Sequence, residues 1–443
     1  MKLFSFHWQT YKILYPLMYP LFYLLRQISY DLIKNSNLAM NPFVMTTLMF
    51  LSELICGIFE PFRRCLSKGS KYKQIKHEVP HGKTKIMDFL EEKIKRSGHV
   101  IIEIIAILVI ALLDYAGFII ISFTNIWGEK AKDGNNNPLF YINDLSAATR
   151  MSEILFLSLL TVNILGYNIY KHHNFARVIQ MINIFLLIIF LFILVVCYKL
   201  DDTDPINTIN RYLSFILSTA LYLISFFLYS CKNICIKWMI EKRFYSPFLL
   251  IFYVGLAGLV CMAVTFLITY NFIHCPFAFC KPNQTEATNQ NLIEINEIWY
   301  IVSSFICGSI INLFQYITNL YFNPCYIGIS DSLAGFLLWF YYCFTSFDLD
   351  QFKFKVHKTV YWILIVICGF IYIVSFFACL VYTENIICYF WKLNENVTNE
   401  IMNRAEKDVN NSQDLLNNEI SLVEQEPDNR DTQGRESGNE LGQ

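Results

Sequence analysis

Few side chains in this sequence carry chemistry at a spacing that could use it, and those that do are charged residues set inside apolar surroundings. Glu53, Asp114, Glu153 and Asp331 are each flanked by long uncharged stretches, and Lys232 and Lys237 sit at the end of another. Arg150 and Glu153 are spaced i to i+3, which puts them on one face of a helix as a candidate ion pair. A carboxylate at the centre of a bilayer costs about 2.5–3.5 kcal/mol on insertion scales, so such groups must face a cavity or a partner. The chemistry this suggests is reversible solute binding. No His-Glu-x-x-His, Ser-His-Asp set, paired-His desaturase pattern or Gly-rich phosphate loop is present, so no enzyme and no cofactor are expected. Cys231 and Cys235 lie one helical turn apart, but no further Cys or His completes a metal set.

The elements that hold these residues follow from the distribution of charge. Of 443 residues 55% are apolar and only 16% charged, and the mean hydropathy is +0.39, a membrane composition. The formal net charge of −1 leaves no basic excess for nucleic acid. Five runs, Ile179 to Tyr198, Tyr212 to Cys231, Phe244 to Ile273, Ile298 to Ser330 and Thr359 to Thr383, contain no Asp, Glu, Lys or Arg. A bilayer core of about 30 Å needs roughly 20 such residues in a helix. Runs interrupted by Glu53, by Asp114, by Arg150 with Glu153, and a run just after Asp331 add further spans, and Asn323-Pro324 divides the longest run in two. The expected architecture is all-α and polytopic. It has about ten transmembrane helices, near 10–33, 42–60, 101–126, 145–170, 175–199, 211–236, 247–271, 298–321, 325–347 and 358–384, the first read as an uncleaved span.

Orientation rests on Lys and Arg beside the spans. The loop from Pro61 to His99 holds eleven cations against four acids and is placed in the cytoplasm, with both chain ends. The loop after the seventh helix then faces the lumen, and carries a glycosylation sequon at Asn283 and the cysteines Cys275 and Cys280, which are read either as a disulfide or as two free thiols. Residues 1–199, with the basic loop 61–99, form a first five-helix half, and residues 200–391 a second. Residues 392–443, with twelve acidic, five basic and ten Asn residues, form a disordered acidic tail.

Several segments resemble the drug/metabolite transporter superfamily (EamA-like), in its nucleotide-sugar-transporter-like solute carrier family 35 branch. The stretch from Pro42 to Glu53, PFVMTTLMFLSE, is similar to that branch's second-helix signature, and Ala111-Leu112-Leu113-Asp114 to the opening of its third helix. Glu241-Lys242 with Val254 to Leu259, and Ile329 to Leu333, resemble its later motifs in order. Ala257 stands where the family has Glu, Ala334 where it has Arg, and Ser152-Glu153 near a usual Leu-Arg-Gly. The resemblance implies two inverted five-helix repeats and transport by alternating access of a small organic solute, nucleotide-sugar-like or another metabolite. It also implies an endomembrane location (Golgi, endoplasmic reticulum or lysosome/vacuole) in preference to the plasma membrane.

Candidate substrate-binding residues are therefore Glu53, Asp114, Glu153, Asp331 and Lys232. Each has a plainer alternative. Glu53 and Asp114 could sit near helix ends and reach headgroup water, Asp331 could lie in the first turns of its helix, and Lys232 and Lys237 could snorkel to lipid headgroups from the end of the sixth helix. His172-His173 read as loop residues, and Gly255 and Gly258 as permitting close helix packing. The expected partners are the solute and the lipid bilayer, with no nucleic acid, and a homodimer is left open. The alternative function is a non-transporting polytopic scaffold or sorting receptor, which a solid apolar core would favour.

Overall fold

The computed structural model describes residues 4–6, 10–32, 42–60, 99–130, 142–166, 170–197, 205–243, 245–271, 295–345, 358–397 and 400–401. Asn283, Cys275 and Cys280, most of the basic loop and most of the acidic tail lie outside the described residues. The elements are β1 (Phe4–Phe6), α1 (Thr10–Leu32), α2 (Pro42–Cys56), α3 (His99–Lys130), α4 (Ile142–Arg150), α5 (Glu153–Leu165), α6 (Lys171–Cys197), α7 (Pro205–Arg243), α8 (Pro247–Asn271), α9 (Ile295–Tyr321), α10 (Cys325–Thr345), α11 (Lys358–Tyr382), β2 (Ile386–Cys388) and a 3-10 segment (Phe390–Asn396). Among the described residues, seven helical stretches are long and apolar enough to cross a membrane: 101–125, 145–165, 171–193, 212–243, 247–267, 298–321 and 365–382. Shorter apolar helices cover Met45–Cys56 and Cys325–Tyr341.

The outward faces of these helices are apolar. Ile101, Leu112, Phe185, Leu213, Val260, Trp299 and Val366 are all exposed, an arrangement compatible with lipid tails around the bundle. Inside, the tightest neighbours are α3 with α7, α1 with α9, α6 with α11 and α2 with α8. Next come α2 with α9, α3 with α8, α5 with α7, and α1 with α10.

Several expectations change. The span near 145–170 is broken at Met151-Ser152, where α4 ends and α5 begins, so Arg150 and Glu153 are not on one continuous helix face. The sixth span does not end near residue 236, because α7 continues to Arg243. Its last turns are held by an i to i+4 ion pair between Lys237 Nζ and Glu241 Oε1 at 3.0 Å. Finally, the fold is not purely helical: β1 pairs antiparallel with β2, Phe4 opposite Cys388 and Phe6 opposite Ile386. That pairing brings the start of the chain against the segment after α11.

β2 packs against the last helix and the 3-10 segment. His172 and His173 are not loop residues, since α6 starts at Lys171 and carries both in its first turn. His172 Nε2 lies 2.9 Å from the Val381 carbonyl at the end of α11, and His173 Nε2 lies 3.3 Å from Glu384 Oε1. A hydrophobic cluster with Leu165, Ala176, Phe322, Val381, Cys388 and Leu393 packs beneath them.

Candidate functional site

Small residues let the helices approach where the charges meet. A Cβ added to Gly255 of α8 would lie 2.8 Å from the Leu54 backbone nitrogen and 3.0 Å from the Glu53 Cβ. On the other side of α2, a Cβ on Gly308 of α9 would lie 2.9 Å from Ser52 Oγ. The Ser309 hydroxyl donates to the Ser52 carbonyl at 3.1 Å, and Asn312 Nδ2 donates to Ser52 Oγ at 3.2 Å. This contact seam holds the Glu53 side chain fully buried.

From there the charged residues form two groups. In the first, Lys232 Nζ of α7 donates to Asp114 Oδ2 of α3 at 2.5 Å and lies 3.8 Å from Glu53 Oε1 of α2. Glu53 also interacts electrostatically with the Asp114 carboxyl. In the second, Arg150 Nη1 lies 3.2 Å from Asp331 Oδ1 of α10, and the Tyr19 hydroxyl of α1 donates to the same oxygen at 3.1 Å. The Arg150 guanidinium stacks 3.9 Å from the Tyr23 ring centroid, a favourable cation–π distance. Glu153 Oε1 accepts from Asn233 Nδ2 at 2.9 Å, and Asn233 Oδ1 accepts from Gln315 Nε2 at 2.9 Å. The Glu153 and Asp331 carboxyls are also in contact.

Between the two groups lies a cavity of about 170 Å³, lined among others by Tyr23, Arg26, Asp114, Arg150, Lys232 and Asp331. Of the five residues singled out from sequence, Asp114, Glu153, Asp331 and Lys232 line it. Glu53 is outside that lining and touches the cavity through Asp114 and Lys232. The headgroup alternatives for Glu53, Asp114 and Lys232 do not describe this arrangement, because all three are at most 3% exposed and contact one another. Arg150 is paired across the bundle with Asp331, in place of its sequence neighbour Glu153, because the break after α4 turns it toward α10.

Tyr19, Tyr23, Arg26, Asn233 and Gln315 were not singled out from sequence. Two signals were available: Lys232-Asn233 is a polar pair deep inside a long apolar helix, and Asn312, Gln315 and Asn319 recur at helical spacing on one face of α9. The tyrosines gave no signal, since 16% of the chain is aromatic.

No family model matches this chain, and no curated protein matches it. Among solved structures it is similar to one described only as "Crystal structure of protein", with a TM-score of 0.46 and 10% identity, over 85% of this chain and 99% of that one. A likeness at that level carries nothing over to this chain.

Proposed function

We propose that this protein is a multi-pass membrane carrier of ten spans in two inverted halves, which moves a small organic solute across an endomembrane by alternating access. The observation that carries the reading is the cavity of about 170 Å³ lined by charged and aromatic side chains in the interior of the helix bundle. Buried charges are costly in a membrane and accumulate at substrate and ion pathways. A scaffold has no use for such a cavity. Its volume lies below the roughly 300 Å³ at which pockets for drug-sized ligands begin, so it suits a small metabolite better than a nucleotide sugar.

Helix adjacency supports the inverted repeat. Count α4 with α5 as one span, and exchange each span of the first half with its equivalent five places on. The contact of α3 with α7 then becomes that of α9 with α1, α2 with α9 becomes α8 with α3, and α5 with α7 becomes α10 with α1. Every one of these contacts is present, and the pairs α2 with α8 and α6 with α11 map onto themselves. A site at the interface of two such halves is where rocking motions change access. Arg26, Arg150 and Lys232 supply fixed positive charge, and the aromatic rings supply stacking faces. With Asp114, Glu153 and Asp331 beside them, the lining suits a polar solute bearing charge of either or both signs.

The test is uptake by the purified full chain in proteoliposomes, using a labelled panel of amino acids, phosphates, nucleotides and nucleotide sugars. Saturable uptake of one class, accelerated by the same solute inside and lost in Asp331→Asn, is the expected result. Unitary conductance steps in a planar bilayer would overturn the carrier reading, because one solute per conformational cycle is too slow to produce them.

A further inference from the structure

The two charged groups have the same arithmetic and different surroundings. Each holds two carboxyls and one cation, which leaves one negative charge in excess if every acid is ionised. In the Glu153–Asp331–Arg150 group that excess is solvated by protein: Tyr19 donates to Asp331, and Asn233 donates to Glu153 with Gln315 behind it. In the Glu53–Asp114–Lys232 group nothing comparable is present among the described residues. Glu53 is 0% exposed, and none of the described donor groups hydrogen-bonds to either of its carboxyl oxygens. Asp114 Oδ1 likewise has no donor among them, while Lys232 is engaged 2.5 Å away at Oδ2.

Every element packed against Glu53 leads to the same result. From α3 comes Asp114, and from α7 come Lys232 and the Tyr229 ring, 5.9 Å from Nζ. From α9 comes the buried Tyr316, whose hydroxyl makes no hydrogen bond among the described residues, and α2 itself adds the Cys56 thiol, placed to donate to the Ser52 or Ser309 carbonyl. On α8 the neighbour is Gly255, which offers no side chain. Glu153 is the next charge beyond Lys232. An ionised, unsolvated carboxylate in such a place costs several kcal/mol.

We propose that Glu53 and Asp114 share one exchangeable proton beside Lys232, making this triad a proton-binding site built into the α2–α3–α7 contact. The proton bonds to Glu53 and is donated to the Asp114 carboxyl, which gives Glu53 its missing hydrogen bond and brings the triad to neutrality. Release leaves two carboxylates competing for one ammonium, so Lys232 is drawn from Asp114 toward Glu53, now 3.8 Å away. Because Asp114 and Lys232 also line the cavity, proton loading and the cavity's charge are linked. A metal cation is disfavoured, since the Lys232 ammonium already occupies the position between the carboxyls. On the carrier reading this is the site of the coupling ion, but the site stands on its own geometry.

The experiment is pH-difference infrared spectroscopy of the full chain in lipid nanodiscs, which needs no solute and so can fail or succeed apart from the uptake assay. At neutral pH the wild type is expected to show the C=O stretch of a protonated, buried carboxyl that disappears at high pH. Glu53→Gln should remove that band, Asp114→Asn should shift its frequency by changing the acceptor, and Asp331→Asn should leave it in place. If Glu53→Gln does not fold, Glu53→Asp keeps the carboxyl and should move the band. Absence of any band that responds to position 53, or loss of the band on adding sodium chloride at constant pH, would overturn the proposal.

Discussion

Replacing Lys237 with Met separates two physical pictures of one lysine. From sequence, Lys237 stands at a helix end and reaches for lipid headgroups, where its ammonium would keep its water and the substitution would matter little. In the structure its side chain is completely buried, and Nζ donates to the Asn319 carbonyl at 2.8 Å and the Phe322 carbonyl at 2.9 Å. These are carbonyls at the C-terminal end of α9, which ends at Tyr321. Such groups have no partner in their own helix and face the negative end of its dipole. Each charge-assisted bond to a carbonyl contributes about 1.5–3 kcal/mol, so the gross loss of the two in Lys237→Met is about 3–6 kcal/mol, with the Glu241 ion pair lost besides. Removing the ammonium also removes its desolvation cost, which returns part of that sum, and Met fills much of the same volume. A net destabilisation of about 2–4 kcal/mol remains, because two buried carbonyls lose the charged donor that Lys237 supplies. The assay is equilibrium unfolding of the full chain in mixed micelles, with Lys237→Arg as the variant that keeps charge and donors and should lose less. A loss below about 1 kcal/mol for Lys237→Met, the range of solvent-exposed pairs, would refute the capping argument and restore the headgroup picture.

Gly255→Leu should destabilise the protein by about 1–3 kcal/mol or more, the usual range for overpacking, since the new side chain meets the α2 backbone as well as Glu53. The same unfolding assay checks it, and a neutral result would show that α2 and α8 are not in close contact. Cys388 in β2 lies outside the helices and is buried, and burial pushes its thiol up to about 11. A raised thiol is protonated below that value and only the thiolate reacts, so maleimide labelling of Cys388 should be slow at neutral pH and rise as pH approaches about 11. Rapid labelling at neutral pH would show that the β1–β2 pair is open. In sealed microsomes, protease added from the cytoplasmic side should cut the loop from Pro61 to His99 and spare the loop from Asn271 to Glu297, and the reverse pattern would overturn the orientation.

Charge-free runs alone show that this chain has helices apolar enough to cross a membrane, and most of where they lie. Both follow from local quantities: an uncharged run of some 20 residues is long enough to span a bilayer core, and Pro247–Asn271 lies at the bounds its apolar run suggests. It also marked Glu53, Asp114, Glu153, Asp331 and Lys232 as exceptional, because a charge inside an apolar run needs a partner wherever that partner lies. Which partner it takes is not a local quantity. Lys232 and Asp114 are 118 residues apart, and Tyr19 and Asp331 are 312 apart. Only the packing of α2, α3 and α7, and of α1 with α10, decided these pairs. The same holds for Arg150, which spacing alone would assign to Glu153 and which the break between α4 and α5 assigns to Asp331. Lys237 reads as a snorkelling lysine until the end of α9 is set beside it. Pairing between β1 and β2 was beyond any reading of three-residue segments, because strands that short have no pattern of their own and exist only where tertiary structure brings their edges together.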